Sequence, residues 1–257
     1  MTVPSSPWPF LDHAGPLAFA HQGGGGEHPE NTMAAFDHAV SLGYRYLETD
    51  VHATADGVLV AFHDDCLERM TDHAGRIADL PWSVVRQARV GGDHRIPRLE
   101  DVLGSWPRTK VNIDPKHDAA VEPLVQLLRR TRSLARVAIG SFSDRRLHRI
   151  RRALGPTVCL SLGPLGVARL RGASVGLPTG RLAAACVQVP VTAKGVPVID
   201  ARFVEAAHRR GLQVHAWTID EAPEMVRLLD LGVDGIMTDR PSLLRQVLAE
   251  RGQWVGP

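Results

Sequence analysis

Short apolar runs alternate with amphipathic segments from one end of this chain to the other, and no other property restricts the fold as much. The runs fit strands buried on both faces; the segments between them fit helices with a single apolar stripe. Strands are predicted at Leu17–Ala20, Tyr46–His52, Val111–Asp114, Val137–Ser141, Val158–Ser161, Cys186–Val189, Gln213–Thr218 and Gly235–Thr238. Helices are predicted at Thr32–Leu42, Val121–Arg132, Asp144–Leu154, Leu165–Arg171, Ala201–Arg210, Ala222–Leu231 and Pro241–Arg251. Asn31 or Thr32 serves as the first N-cap, and Gly43 as the stop. Repetition of this kind builds a parallel sheet, and eight strands with nearly eight helices predict an α/β fold of the (β/α)8 TIM-barrel type. A length of 257 residues suits one such domain over 1–257, with no internal boundary. Val58–Phe62 reads as an extended piece after the Asp56-Gly57 turn. Residues 64–108 read as a small inserted segment after the second strand region, with short helices at Asp79–Arg89 and Leu99–Gly104.

Charge and cysteine content narrow the function classes. Thirty basic and 28 acidic residues leave a net charge of +2, which argues against nucleic acid as a partner. The densest basic run, Arg145–Arg152, has helical spacing with Leu147 and Ile150 inward and reads as a solvated helix face. Cys66, Cys159 and Cys186 are odd in number and widely spaced, so they read as reduced thiols rather than a disulfide framework. Met1 to Gly15 lacks the apolar region of a signal peptide, and no run approaches a membrane span; a cytoplasmic protein is expected.

In a barrel of this type, functional groups gather at the C-terminal ends of the strands. There the sequence places His21, Glu48 and Asp50, His63, Asp114 with Lys116, and Trp217. Glu48, Asp50 and His52 alternate with Thr49 and Val51 and share one strand face. Carboxylates pointing into a barrel need a positive partner, and a hard divalent cation, Ca²⁺ or Mg²⁺, suits their oxygens. Bridging by Arg45 or Arg69 is the structural alternative, and His52 reads as a satisfied core histidine. His21 and His63 each end a strand beside carboxylates, where an imidazole can accept or donate a proton near neutrality. The Gly23–Gly26 run permits positive φ, and its amides are expected to cradle a phosphate. Lys116 reads either as a point charge for phosphate or as a solvated lysine, and Trp217 either as an apolar wall for a bound molecule or as a filler of the barrel top.

The segments His21–Phe36, Glu48–Asp65, Asn112–Lys116, Gly140–Phe142, Ala216–Thr218 and Gly232–Pro241 together resemble the glycerophosphodiester phosphodiesterases. The likeness runs from about Leu17 to Pro241. It implies a (β/α)8 barrel that hydrolyses glycerophosphodiesters to glycerol 3-phosphate and an alcohol. By position, Glu48, Asp50 and Asp114 would hold the metal, His21 and His63 would be the acid/base pair, and Lys116 would meet the phosphate. Two departures stand out. Gln22 occupies the place of the family's phosphate-gripping arginine and would bind substrate there without the charge, a loss that costs ~1.5–3 kcal/mol if uncompensated. Asp114 stands where a glutamate is usual. Gly23–Phe36 looks most like the branch that cleaves lysophospholipids, which is the alternative substrate class. A non-catalytic phosphodiester-binding barrel is the alternative outside enzymes, motivated by Gln22.

Overall fold

The computed structural model describes residues 8–256. Eight parallel strands form the barrel: β1 (Leu17–Ala20), β2 (Tyr46–Ala53), β3 (Lys110–Pro115), β4 (Val137–Ile139), β5 (Cys159–Leu160), β6 (Cys186–Pro190), β7 (Gln213–Trp217) and β8 (Gly235–Thr238). Each pairs with its sequence neighbour, and β8 returns to β1 through Leu17↔Gly235 to Ala20↔Thr238. Between β5 and β6 the ring is held by a single parallel bridge, Ser161↔Cys186, with Ala185 N donating to Leu160 O at 2.8 Å. The predicted barrel is the observed one.

The eight following helices are α1 (Met33–Ser41), α2 (Leu99–Ser105), α3 (Val121–Thr131), α4 (Asp144–Leu154), α5 (Pro164–Ser174), α6 (Ala201–His208), α7 (Ala222–Asp230) and α8 (Pro241–Glu250). Capping fixes several starts. Thr32, Ser143 and Asp200 each accept the backbone N–H three residues on, as N-cap side chains do. Prolines open α5 and α8, where the missing donor costs nothing. Among the described residues, no helix is long and apolar enough to cross a membrane, and all three cysteines are free. The reading of Met1 to Gly15 rests partly on residues outside the described range.

The insertion differs in detail from its expectation. Leu59–Ala61 pairs antiparallel with the end of β2, as an extension of the sheet. The helix expected over Asp79–Arg89 shrinks to one turn, Trp82–Val85, after a 3-10 turn at Ile77–Asp79. Arg89–Val90 instead pairs with His94–Arg95 as a small hairpin. The apolar residues of this stretch pack inward as a separate cluster (Val60, Phe62, Leu67, Ile77, Val85, Val90, Ile96), and that packing overrides helical spacing.

Inside the barrel, His215 is fully buried, hydrogen-bonded by Gln188 and Gln213 and tilted against the Phe19 ring at 5.1 Å. A Cβ at Gly235 would meet its ring at 2.9 Å, so only glycine lets β8 pass. Burial depresses His215 to about 4 from its ordinary 6.5, with Asp234 pulling the other way. Protonation then favours the unfolded chain. The stability that neutral His215 provides is full above pH 6.5 and declines as pH falls towards 4, by about 3 kcal/mol in total. Urea titrations at about pH 7 and about pH 4.5 should show that loss, and a shallower pH dependence in His215→Gln. Equal slopes in the two proteins would remove His215 as the cause.

Candidate active site

The chain leaves β1 through a left-handed turn, with φ of 53° at Gln22, 83° at Gly23 and 103° at Gly24. A Cβ at Gly23 would lie 2.8 Å from Ala35 Cβ and 2.9 Å from Phe36 N; one at Gly26 would lie 2.9 Å from Asp239 O. The glycines therefore let the loop press against α1 and the segment after β8. Three of their amides are already engaged: those of Gly24 and Gly25 donate to His21 O, and that of Gly26 to Asp239 O. The expected phosphate cradle is corrected to a packing device. What the turn achieves is to bring His21 Nδ1 within 2.7 Å of Asp239 Oδ1.

The carboxylates come from two adjacent strands. In the β2/β3 register, Glu48 lies opposite Asn112 and Asp50 opposite Asp114. Glu48, Asp50 and Asp114 are all buried, the least covered being Asp114 at 9% exposure. The bridging partner is neither Arg45, which donates to Gly256 O, nor Arg69, which pairs with Glu30 and Asp64. It is Lys116, whose Nζ sits 2.7 Å from Asp50 Oδ1 and 3.0 Å from Asp114 Oδ2. Gln22 is buried behind this cluster, its side-chain amide donating to Asp50 Oδ2 at 2.6 Å and its backbone N–H to Glu48 Oε2 at 3.0 Å. Asn31 reaches the same Asp50 oxygen at 3.4 Å. Among the described residues His52 is hydrogen-bonded to no carboxylate; its Nε2 meets His63 O at 3.1 Å, as a satisfied core histidine does.

Burial is the largest influence on the protonation of this cluster. It raises Glu48 and Asp114, in both cases with the like charge of Asp50 adding to it. It opposes the charge on His21 and Lys116, yet the carboxylates prevail. Glu48 and Asp239 lift His21 to about 9, and Asp50 and Asp114 lift Lys116. All four groups hold protons more tightly than in water, as expected where negative charge is in surplus. Among the described residues, no three His, Cys, Asp or Glu side chains form a ready metal cage, because the Lys116 ammonium lies between two of the carboxylates. One oxygen, Asp114 Oδ1, is nonetheless buried without a hydrogen-bond partner. An orphaned, hard oxygen donor beside two further carboxylates suits a cation.

His21, Glu48, Asp50, His63, Asp114, Lys116 and Trp217 all line one cavity of about 720 Å³ at the C-terminal mouth of the barrel. His63 is more open than His21, with Nδ1 at 2.7 Å from Asp64 Oδ1. Trp217 stands edge-on to Phe142, ring centroids 5.7 Å apart. The floor contains Asn112 and Gln188, joined at 3.0 Å, which sequence reasoning did not single out. The far wall is apolar, built from Leu162, Val167, Val189, Pro190 and Val198.

Asp239 is the other residue that sequence reasoning missed. Its hydrogen bond fixes the His21 ring and favours the imidazolium, which makes it a positioning residue. Asp239→Asn is expected to lower kcat on the order of tenfold or more and to move the His21 limb of the pH–rate profile to lower pH. An unmoved profile would assign Asp239 a purely structural role.

The family model described as "Glycerophosphoryl diester phosphodiesterase family" matches residues 21–243. The chain belongs to the glycerophosphoryl diester phosphodiesterase family. It is 45% identical over 256 residues to "Probable glycerophosphodiester phosphodiesterase 2" of Mycobacterium tuberculosis, with 96% of each chain covered. It is 28% identical to lysophospholipase D GDPD1 of Rattus norvegicus, over 89% of this chain and 85% of that one. The crystal structure of a glycerophosphodiester phosphodiesterase from Agrobacterium tumefaciens shares the fold, with a TM-score of 0.74, 24% identity and coverage of 89% and 98%. Membership of this family makes the chain an enzyme, a phosphoric diester hydrolase. The non-catalytic reading of the barrel is thereby set aside.

Proposed function

We propose that the protein hydrolyses glycerophosphodiesters to glycerol 3-phosphate and an alcohol, using His21 and His63 as its proton-transfer pair and a divalent cation held by Glu48, Asp50 and Asp114. One observation carries this reading. Two histidines and three carboxylates from β1, β2, β3 and the extension line a single cavity in a chain of the phosphodiesterase family. The surplus negative charge and the orphaned Asp114 oxygen support a bound cation, Ca²⁺ or Mg²⁺ by the hardness of the donors. When bound, the cation supplies Lewis-acid polarisation of the phosphoryl group. One histidine takes the proton of the attacking hydroxyl, and the other delivers a proton to the departing alkoxide. Lys116, at the cavity wall, offers its ammonium to the phosphate. Gln22 serves this site from behind, holding Asp50 by its amide. Trp217 and the apolar wall receive the alcohol moiety.

The size of that wall favours a second reading, lysophospholipase D-type cleavage, for which the 28% identical rat relative is named. Product analysis separates the two. The protein is incubated with glycerophosphocholine and with lysophosphatidylcholine under matched conditions. Glycerol 3-phosphate released faster from the former supports the first reading. Lysophosphatidic acid released faster from the latter supports the second. Failure to release choline from either would contradict both.

A further inference from the structure

Five large apolar side chains are exposed among the described residues, namely Phe142, Leu165, Val175, Leu177 and Val196, and all fall between positions 142 and 196. Scattered exposure of single residues needs no explanation, but confinement to one stretch does. The same stretch is strongly basic. Residues 140–200 contain nine Arg and Lys against two Asp, leaving 21 basic and 26 acidic residues in the rest of the chain. Both acids are engaged: Asp144 accepts Leu165 N at 3.1 Å, and Asp200 caps α6 and pairs with Arg171 at 2.7 Å.

Three of the five flank the apolar side of the cavity mouth: Phe142 and Val196 line it and Leu165 follows the lining residue Pro164, whereas Val175 and Leu177 lie past the other end of α5. Phe142 leans on Trp217, and the Asp144–Leu165 bond brings the starts of α4 and α5 together, with exposed Arg145 beside them. The hairpin of Thr192–Ala193 and Val196–Pro197 completes the arc and carries exposed Lys194 at its tip. We propose that this arc is an interfacial docking surface for an anionic lipid bilayer, with Phe142, Leu165 and Val196 entering the headgroup boundary and Arg145 and Lys194 meeting lipid phosphates. Apolar side chains interspersed with cations are what such an interface requires. Docking there seats the cavity mouth at the membrane surface, where amphiphilic phosphodiesters reside. The basic helix α4, read from sequence as solvated, contributes its first turn to this surface.

Sedimentation of the full chain with phosphatidylcholine vesicles, with and without phosphatidylglycerol, tests the inference. Binding to the phosphatidylglycerol-containing vesicles is expected, weakening as salt rises. Lys194→Glu should weaken it about tenfold or more, since one favourable charge becomes unfavourable. Leu165→Ser should weaken it severalfold at fixed charge. Both positions lie outside the cavity lining, so hydrolysis of water-soluble glycerophosphocholine serves as the control of folding and is independent of docking. No binding of the unaltered chain to anionic vesicles at low salt would overturn the proposal. So would binding that Leu165→Ser leaves unchanged but heparin abolishes, which marks a site for soluble polyanions.

Discussion

His21→Ala is expected to lower kcat for glycerophosphocholine by about 10²–10⁴, the range supplied by a positioned acid/base group. KM should change little, because the apolar walls of the cavity remain. The effect follows from geometry: His21 stands at the end of β1 with Nδ1 bound to Asp239 and Nε2 3.8 Å from Glu48 Oε2, so its free edge faces the carboxylate cluster. His21→Asn, which retains a donor but cannot titrate, should be nearly as poor as alanine. Steady-state kinetics with both variants checks this. Near-normal kcat in either would remove His21 from the chemistry and leave it as a prop for Glu48.

Removal of divalent cations is expected to reduce turnover by a comparable factor, and Glu48→Gln to weaken cation binding at least about a hundredfold. Loss of groups that merely orient metal ligands already costs ~10–100-fold in affinity, and loss of a ligand should cost no less. Isothermal titration of the metal-stripped chain with Ca²⁺ or Mg²⁺ reads binding without substrate or turnover. Glu48→Gln binding either ion as tightly as the unaltered chain would contradict the assignment. A cation bound by these carboxylates would compete with Lys116, whose Nζ already contacts Asp50 and Asp114. Lys116→Met is therefore expected to tighten cation binding while raising KM for the phosphodiester.

Much of this is legible in the sequence. The barrel followed from strand-helix alternation, because strands buried on both faces are continuous apolar runs and the helices between them carry a single stripe. Glu48, Asp50 and Asp114 were legible because strands end at fixed places and side chains alternate along them. Asp239 was not, since its partner His21 lies 218 residues away and only barrel closure through β8 and β1 joins them. The glycine run misled for a related reason. Glycine signals a close approach without naming what approaches, and here it is α1 and the Asp239 segment rather than a phosphate. Gln22 reads on the page as a weakened substrate contact; the fold turns its side chain to Asp50. Lys116 likewise had a charge to offer, but which anion receives it depends on the β2/β3 register, a tertiary property. The helix expected over Asp79–Arg89 failed where the insertion's own core decided the backbone.

Metal dependence is decided by release of glycerol 3-phosphate from glycerophosphocholine by metal-stripped protein, with Ca²⁺ or Mg²⁺ added back. Negligible release is expected before addition, restored release after it, and no restoration in Glu48→Ala or His21→Ala. Undiminished release by the stripped protein, or full restoration in either variant, would contradict that expectation.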